Sequence, residues 1–248
     1  MIGIIGFGRF GKLMTRYLAE DCQVMVYDRN RDSEAIARRG GIASSLPEVC
    51  RQPTVVLAVP ISSMRQVLEQ IRGQLTPGSL VIDVCSVKIL PVAWMVDLLP
   101  EEVGILGTHP MFGPDSASDT LAGSKIVLCR ERSTDERYGR VKRYLLSKGL
   151  IVIETTPDEH DREISVSLAL THTIGRALAE FGARPQQIDT EGYKRLLHIL
   201  DVVENDTWQL FEDMNRYNPH APEKRRAFLK ALQDINAVLT EASGSPDG

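Results

Sequence analysis

The chain has 248 residues, 43% of them apolar and 25% charged, which suits one large domain with a smaller companion. Its 29 basic and 33 acidic side chains leave a net charge of −4, so no basic field is available to hold nucleic acid or an anionic membrane surface. No apolar run is long enough to span a bilayer, and Cys22, Cys50, Cys85 and Cys129 are too widely spaced for a zinc or redox pattern.

Ile2, Ile4 and Ile5 read as a short buried strand, and Gly6-Phe7-Gly8-Arg9-Phe10-Gly11 follows at once. A helix begins within this string, with Phe10, Leu13, Met14, Tyr17 and Leu18 recurring at helical spacing. Gly6 allows a tight turn, Gly8 lets backbone approach a pyrophosphate, and Gly11 lets helix and strand pack closely. The pyrophosphate would rest on the helix N-terminus, where free N–H groups and the dipole favour negative charge. A second strand over residues 23–27 ends at Asp28, a carboxylate placed for the adenosine ribose hydroxyls, which favours NAD over NADP. Arg29 and Arg31 follow directly, and either would suit the extra phosphate of NADP. Because this fingerprint starts at residue 6, no room remains for a signal peptide, and we expect a cytoplasmic protein with reduced thiols and no bound metal.

Residues 54–59 form the next apolar strand, 62–71 a helix, and 80–84 another strand. Further strands are expected at 104–107, 125–129 and 150–153. This alternation predicts a doubly wound, mostly parallel sheet of the Rossmann type. Ligands of such sheets bind beyond the carboxyl ends of the strands. Ala58-Val59-Pro60, the segment from Asp83 to Lys88, and the segment from Thr108 to Pro114 would all face that crevice. Within it, His109 lies just past a strand end and can take a hydroxyl proton while a hydride leaves for a nicotinamide; the plain alternative is a loop histidine. Ser86 can hydrogen-bond a substrate hydroxyl or His109, or cap the helix that starts near Ile89. Lys88 can hold a substrate carboxylate as a point charge, or be a solvated surface lysine. Asp115 and Asp119 can orient an imidazole or meet a substrate cation, or be ordinary loop acids.

After Glu154 no strand pattern appears, so we divide the chain into a dinucleotide-binding domain, 1–154, and a smaller all-helical domain, 155–248. Thr156-Pro157-Asp158-Glu159 is a helix start, with a capping threonine, proline at the first position and glutamate three after the cap. That helix should run to Phe181, with Gly182 closing it. A second follows Asp189 or Thr190 and carries Tyr193, Leu196, Leu197, Leu200 and Val203. A third covers 223–240 with Phe228, Leu232, Ile235 and Leu239 as its stripe. Three helices are few for a separate core, so part of this surface is expected to bury against a second subunit. His160 lies near the capped start; His172 lies mid-helix, where a partly buried helix histidine is the plain reading.

These residues resemble the prephenate and arogenate dehydrogenases of tyrosine biosynthesis, especially the plant-type arogenate dehydrogenases. The resemblance is carried by Gly6 through Gly11, Asp83-Val84 with Ser86-Val87-Lys88, and Thr108-His109-Pro110-Met111-Phe112-Gly113-Pro114. In the helical part it is carried by Glu159-His160-Asp161-Arg162, Thr171-His172-Thr173 and Gly192-Tyr193 with Leu196-Leu197. It implies oxidative decarboxylation of a cyclohexadienol, with NAD(P)+ taking the C4 hydride and His109 the hydroxyl proton while the ring carboxylate leaves as carbon dioxide. Ser86 would bridge His109 and that hydroxyl, His172 would contact the substrate, and the helical domain would build a homodimer. Many bacterial members hold the ring carboxylate with an arginine on the second C-terminal helix; here Lys194, Arg195 and His198 are the candidates. Arogenate carries an ammonium where prephenate has a keto oxygen, and Asp119, with Asp115 second, is the acid that would favour arogenate. The competing readings are another short two-domain hydroxyacid or imine oxidoreductase, and a protein that binds NAD without turning it over.

Overall fold

A computed structural model describes residues 1–30, 32–117, 119–204 and 206–243, which leaves Arg31 outside the described residues. The chain forms two compact units, Met1–His160 and Asp161–Gly248.

The first unit is built on one sheet. Its strands are β1 (Ile2–Ile5), β2 (Val24–Tyr27), β3 (Ile42–Ala43), β4 (Thr54–Leu57), β5 (Leu80–Asp83), β6 (Gly104–Pro110), β7 (Lys125–Arg132) and β8 (Ile151–Glu154). They lie in the order 3-2-1-4-5-6-7-8. Neighbours are parallel except β6 and β7, which run antiparallel. The order reverses between β1 and β4, the switch point where sheets of this kind open a crevice beyond their carboxyl ends. Around the sheet lie α1 (Arg9–Ala19), α2 (Ser33–Arg38), α3 (Leu46–Cys50), α4 (Ile61–Ile71), α5 (Ile89–Leu98) and α6 (Asp135–Ser147). Central strands read as near-continuous apolar runs because helices cover both faces; Ile4, Val24, Val26, Val56, Leu80, Leu106 and Leu128 form the heart of the core.

Two differences from the expectation matter for the site. The strand expected to stop at Gly107 continues to Pro110, so His109 sits inside β6, opposite Val127. The antiparallel partner supplies hydrogen bonds that extend the strand, and that pairing has no local sequence signal. The long helix expected over 156–181 is also interrupted. It divides into α7 (Pro157–Ile164), a π-helical stretch at Ser165–Leu170, and α8 (Thr171–Phe181). Here the hydroxyls of Ser165, Ser167, Thr171 and Thr173 fold back onto carbonyls three or four residues earlier. Such back-bonding competes with the regular helical ladder. Gly182 ends α8 in a left-handed conformation, φ 77°, as a helix-closing glycine does.

The second unit continues through α9 (Glu191–Glu204), α10 (Trp208–Arg216) and α11 (Ala221–Ser243). Helix α10 was not among the three expected; its start is fixed by Thr207, whose hydroxyl accepts from the Leu210 N–H at 3.2 Å. α8 and α9 approach closely at Gly175, where a Cβ would fall 2.7 Å from the Val203 side chain. Among the described residues no helix is long and apolar enough to cross a membrane.

Candidate active site

The glycine turn is shaped by backbone contact. Gly6 has φ 104°, and a Cβ there would meet the Ala58 carbonyl oxygen at 2.2 Å. A Cβ on Gly11 would meet the Gly6 carbonyl oxygen, also at 2.2 Å. Both positions therefore require glycine to bring β1, β4 and α1 together. Gly8 differs: nothing lies within 4 Å of the place its Cβ would take. It is the N-cap of α1, with no side-chain cap, and the first turn carries no acid. The start of α1 therefore carries neither a side-chain cap nor an acid that would compete with a pyrophosphate there.

Asp28 ends β2 beside this turn. One carboxylate oxygen accepts from the Phe7 N–H at 2.7 Å and the other from the Asn30 N–H at 2.9 Å. Phe7 contributes its backbone to this contact while its ring is buried in the core. Phe10 is half-buried, its ring 6.1 Å from that of Phe112. Arg29 is exposed. Ala58, Val59 and Pro60 follow β4, and Pro60 caps α4. Arg9 is engaged by Asp115 through two contacts of 2.7 and 2.8 Å on the surface. Asp115, expected to meet a substrate cation, thus already has a cation within the protein. Asp119 is exposed.

At the next strand ends lies a buried network. Asp83 and Lys88 are both without solvent exposure, and the ammonium donates to the carboxylate and, at 2.6 Å, to the Thr108 carbonyl. The Asp83 carboxylate also accepts from the Cys85 N–H at 3.0 Å and the Thr108 N–H at 3.2 Å, while the Thr108 hydroxyl donates to the Asp83 carbonyl at 2.6 Å. This corrects the expectation that Lys88 meets a substrate carboxylate. Its charge is spent inside the fold, joining β5 to β6 one residue before His109.

His109 is itself only 7% exposed. Its Nδ1 lies 2.9 Å from Nε2 of His160, with the rings edge to face at 75°. Burial, then the neighbouring His160 and Lys88, push its pKa well below the ordinary imidazole value. The ring is therefore neutral near pH 7, the state a proton acceptor needs. Ser86 does not cap α5, whose N-cap is Lys88. Its hydroxyl is buried with no hydrogen-bond partner among the described residues. The bridge from Ser86 to His109 implied by the family resemblance is not formed here, where the imidazole pairs with His160. A buried orphan hydroxyl is the kind of group a ligand completes.

In the second unit His172 is 2% exposed. Its Nε2 lies 3.7 Å from the Asp206 carboxylate, and its Nδ1 is buried without a partner among the described residues. Burial lowers its pKa, the adjacent carboxylate opposing that shift. Arg176, four residues on, donates to the Asp206 carbonyl and stacks over Trp208 at 5.5 Å and Phe211 at 6.0 Å. Lys194 and Arg195 are exposed on α9; Lys194 pairs with Glu191 at 2.8 Å and Asp189 at 3.7 Å. His198 is exposed as well, 4.0 Å from Asp201. Sequence reasoning passed over Asp83 and Arg176, and gave His160 no role. The signals were present: an acid ending an apolar strand, a cation one turn past His172, and a histidine directly after a capping box.

Comparison with known proteins identifies the family. The family model described as prephenate dehydrogenase, nucleotide-binding domain, matches residues 13–154, and one described as TYRAAT1-like, C-terminal domain, matches residues 177–245. Arogenate dehydrogenase 2, chloroplastic, of Arabidopsis thaliana is 32% identical, over 96% of this chain and 69% of that protein. Arogenate dehydrogenase 1 of the same plant is 31% identical, over 96% of this chain but only 39% of its own length. Among solved structures, prephenate dehydrogenase from A. aeolicus in complex with hydroxyphenyl propionate and NAD+ has a TM-score of 0.75 at 21% identity, covering 98% of this chain and 92% of that one. Synechocystis arogenate dehydrogenase gives 0.72 at 18% identity, covering 98% and 93%. At these identities the structures show a shared fold.

Two outcomes are expected. Gly8→Ala should keep stability within about 1 kcal/mol yet weaken NAD+ binding roughly tenfold or more, whereas Gly11→Ala should cost about 1–3 kcal/mol. Urea unfolding and cofactor titration read both, and equal behaviour of the two variants would contradict the assigned roles. Lys88→Met should cost about 3–5 kcal/mol by stranding a buried carboxylate, with part of the loss recovered by adding Asp83→Asn. A cost under about 0.5 kcal/mol, typical of surface sites, would show that the pair is not buried in solution.

Proposed function

This chain belongs to the prephenate dehydrogenase family of oxidoreductases, and from that premise we propose that it converts arogenate to tyrosine by NAD(P)+-dependent oxidative decarboxylation, with prephenate as the second-choice substrate. The observation that carries the reading is His109: a buried, neutral imidazole on the strand end next to the Asp83–Lys88 network, on the same sheet edge as the glycine turn.

The bound dinucleotide supplies an acceptor for the hydride from ring C4. Gly6, Gly8, Gly11 and the uncapped start of α1 fit its pyrophosphate, and Asp28 fits the ribose hydroxyls, which favours NAD over NADP. His109 accepts the hydroxyl proton as C4 is oxidised, and loss of the ring carboxylate as carbon dioxide leaves an aromatic ring. Aromatisation supplies the driving force, so the protein's task is orientation and a dry base. Ser86 offers its unpartnered hydroxyl to the substrate hydroxyl. For His172, the family resemblance is what suggests a substrate contact. Asp119 is the acid assigned to the arogenate ammonium.

We also propose a homodimer formed through the helical unit. Leu229, Leu232, Ile235, Val238 and Leu239 on α11 are 48–65% exposed, a continuous apolar stripe of the kind that marks an interaction surface.

Reduced nicotinamide should appear when the protein is mixed with NAD+ and arogenate, more slowly with prephenate or with NADP+. His109→Asn should lower kcat by about 10²–10⁴-fold while NAD+ affinity holds. Because the base works only when unprotonated, activity should fall as pH drops through the depressed His109 pKa, so the acid limb of kcat/KM should lie below about 6.5. No turnover of either substrate, or full activity without His109, refutes the assignment. For assembly, light scattering should give twice the chain mass for the wild type and the chain mass for Leu232→Glu/Ile235→Glu; a monomeric wild type at micromolar concentration defeats the dimer.

A further inference from the structure

Two nitrogens 2.9 Å apart must share a hydrogen, since two bare lone pairs at that distance would repel. Two arrangements satisfy the pair. In one, His109 Nδ1–H donates to Nε2 of His160, and Nε2 of His109 is bare. In the other, His160 Nε2–H donates to Nδ1 of His109, whose own hydrogen then occupies Nε2. Only the first leaves His109 a lone pair with which to accept a proton from a ligand, because Nδ1 is committed to His160 in both.

We infer that His160 is a positioning residue that holds His109 as the Nδ1–H tautomer and accepts from that N–H throughout the reaction. The inference rests on the reading of His109 as the base. In the step concerned, the substrate O–H bond breaks and a bond to Nε2 of His109 forms; the electron pair left on oxygen becomes the carbonyl as the hydride departs. His109 becomes a cation in a site where burial, then any charge on the His160 ring, then the Lys88 ammonium all oppose it, so the ring facing it must accept while neutral. A hydrogen bond from Nδ1–H to a neutral acceptor stabilises that cation, and charge-assisted bonds are roughly twice as strong as neutral ones.

Local structure places the His160 ring. The residue is 3% exposed, and its backbone N–H donates to the Thr156 carbonyl at 3.0 Å in the first turn of α7. Thr156 and Glu159 cap each other reciprocally, the Thr156 N–H on the Glu159 carboxylate and the Glu159 N–H on the Thr156 hydroxyl, both at 3.3 Å. A capping box of this kind sets the entry angle of a helix, and here it aims the residue that follows it at the imidazole on β6. The charged and titratable groups placed around His109 are His160 from α7 and the Asp83–Lys88 pair from the end of β5 and the start of α5.

Two variants and one spectrum test this. His160→Leu removes the acceptor, whereas His160→Gln keeps an oxygen that can accept but not titrate. We expect His160→Leu to lower kcat about 100-fold, with KM for arogenate and NAD+ within about threefold. His160→Gln should recover at least about tenfold of that loss, with matched melting temperatures showing that both variants fold. A Leu variant within about threefold of wild-type kcat, or a Gln variant no better than Leu, overturns the role. Should both variants unfold, long-range ¹H–¹⁵N spectra of the histidine-labelled wild type decide: a hydrogen on Nδ1 of His109 supports the inference, and one on Nε2 overturns it. Wild-type turnover and its loss in His109→Asn test the functional reading separately.

Discussion

An ammonium and a carboxylate, both sealed from water, tie the end of β5 to the end of β6. Removing two charges from solvent is expensive, and their attraction offsets that cost only when further hydrogen bonds complete the geometry. They do so here: Lys88 is shared with the Thr108 carbonyl, and Asp83 gathers the N–H groups of Cys85 and Thr108. The network contributes little obvious stability over a well-packed apolar equivalent. What it fixes is position. His109 is the next residue along the strand from Thr108, so its backbone is held by bonds of defined direction where an apolar contact would let it slide.

The same pair shapes the electrostatics of the base. Burial opposes a positive charge on the ring most, with His160 and then the buried Lys88 cation adding to the effect, so the imidazole stays neutral well below its ordinary pKa. A base of this kind is available at neutral pH but unwilling to keep the proton it takes. The partner ring across the contact, fifty-one residues along the chain, is then more than packing. Structural need and chemical need meet in one small region, which is why the crevice is built from strand ends of the sheet and from the first turns of α1 and α7.

Much of this was legible in the sequence because its signals are local. The glycine turn, the acid closing β2 and the apolar strands of a sheet covered on both faces all declare themselves over a few residues. So does the Thr156 cap. The buried role of Lys88 was not legible, since a lysine five residues past an aspartate looks the same whether it faces water or the carboxylate. The extension of β6 through His109 depends on β7, and the pairing with His160 depends on where α7 is aimed. Helices α2, α3 and α10, of 6, 5 and 9 residues, are too short for an apolar period to be decisive. The α11 stripe, by contrast, was read correctly as apolar, yet in a single chain it faces solvent.

The π-helical stretch at Ser165–Leu170 has a geometric consequence for everything after it. Each residue of an α-helix advances about 100° around the axis, so a wider coil that absorbs an extra residue turns the downstream face by that amount. Counting at 3.6 residues per turn from the Thr156 cap therefore assigns the wrong azimuth to His172, Gly175 and Arg176. Deleting one residue from the wide coil would straighten the phase and swing those three together relative to the turns that precede it. The helix thus behaves like an indexed shaft: its length in residues, as much as their identity, decides which side chains are presented.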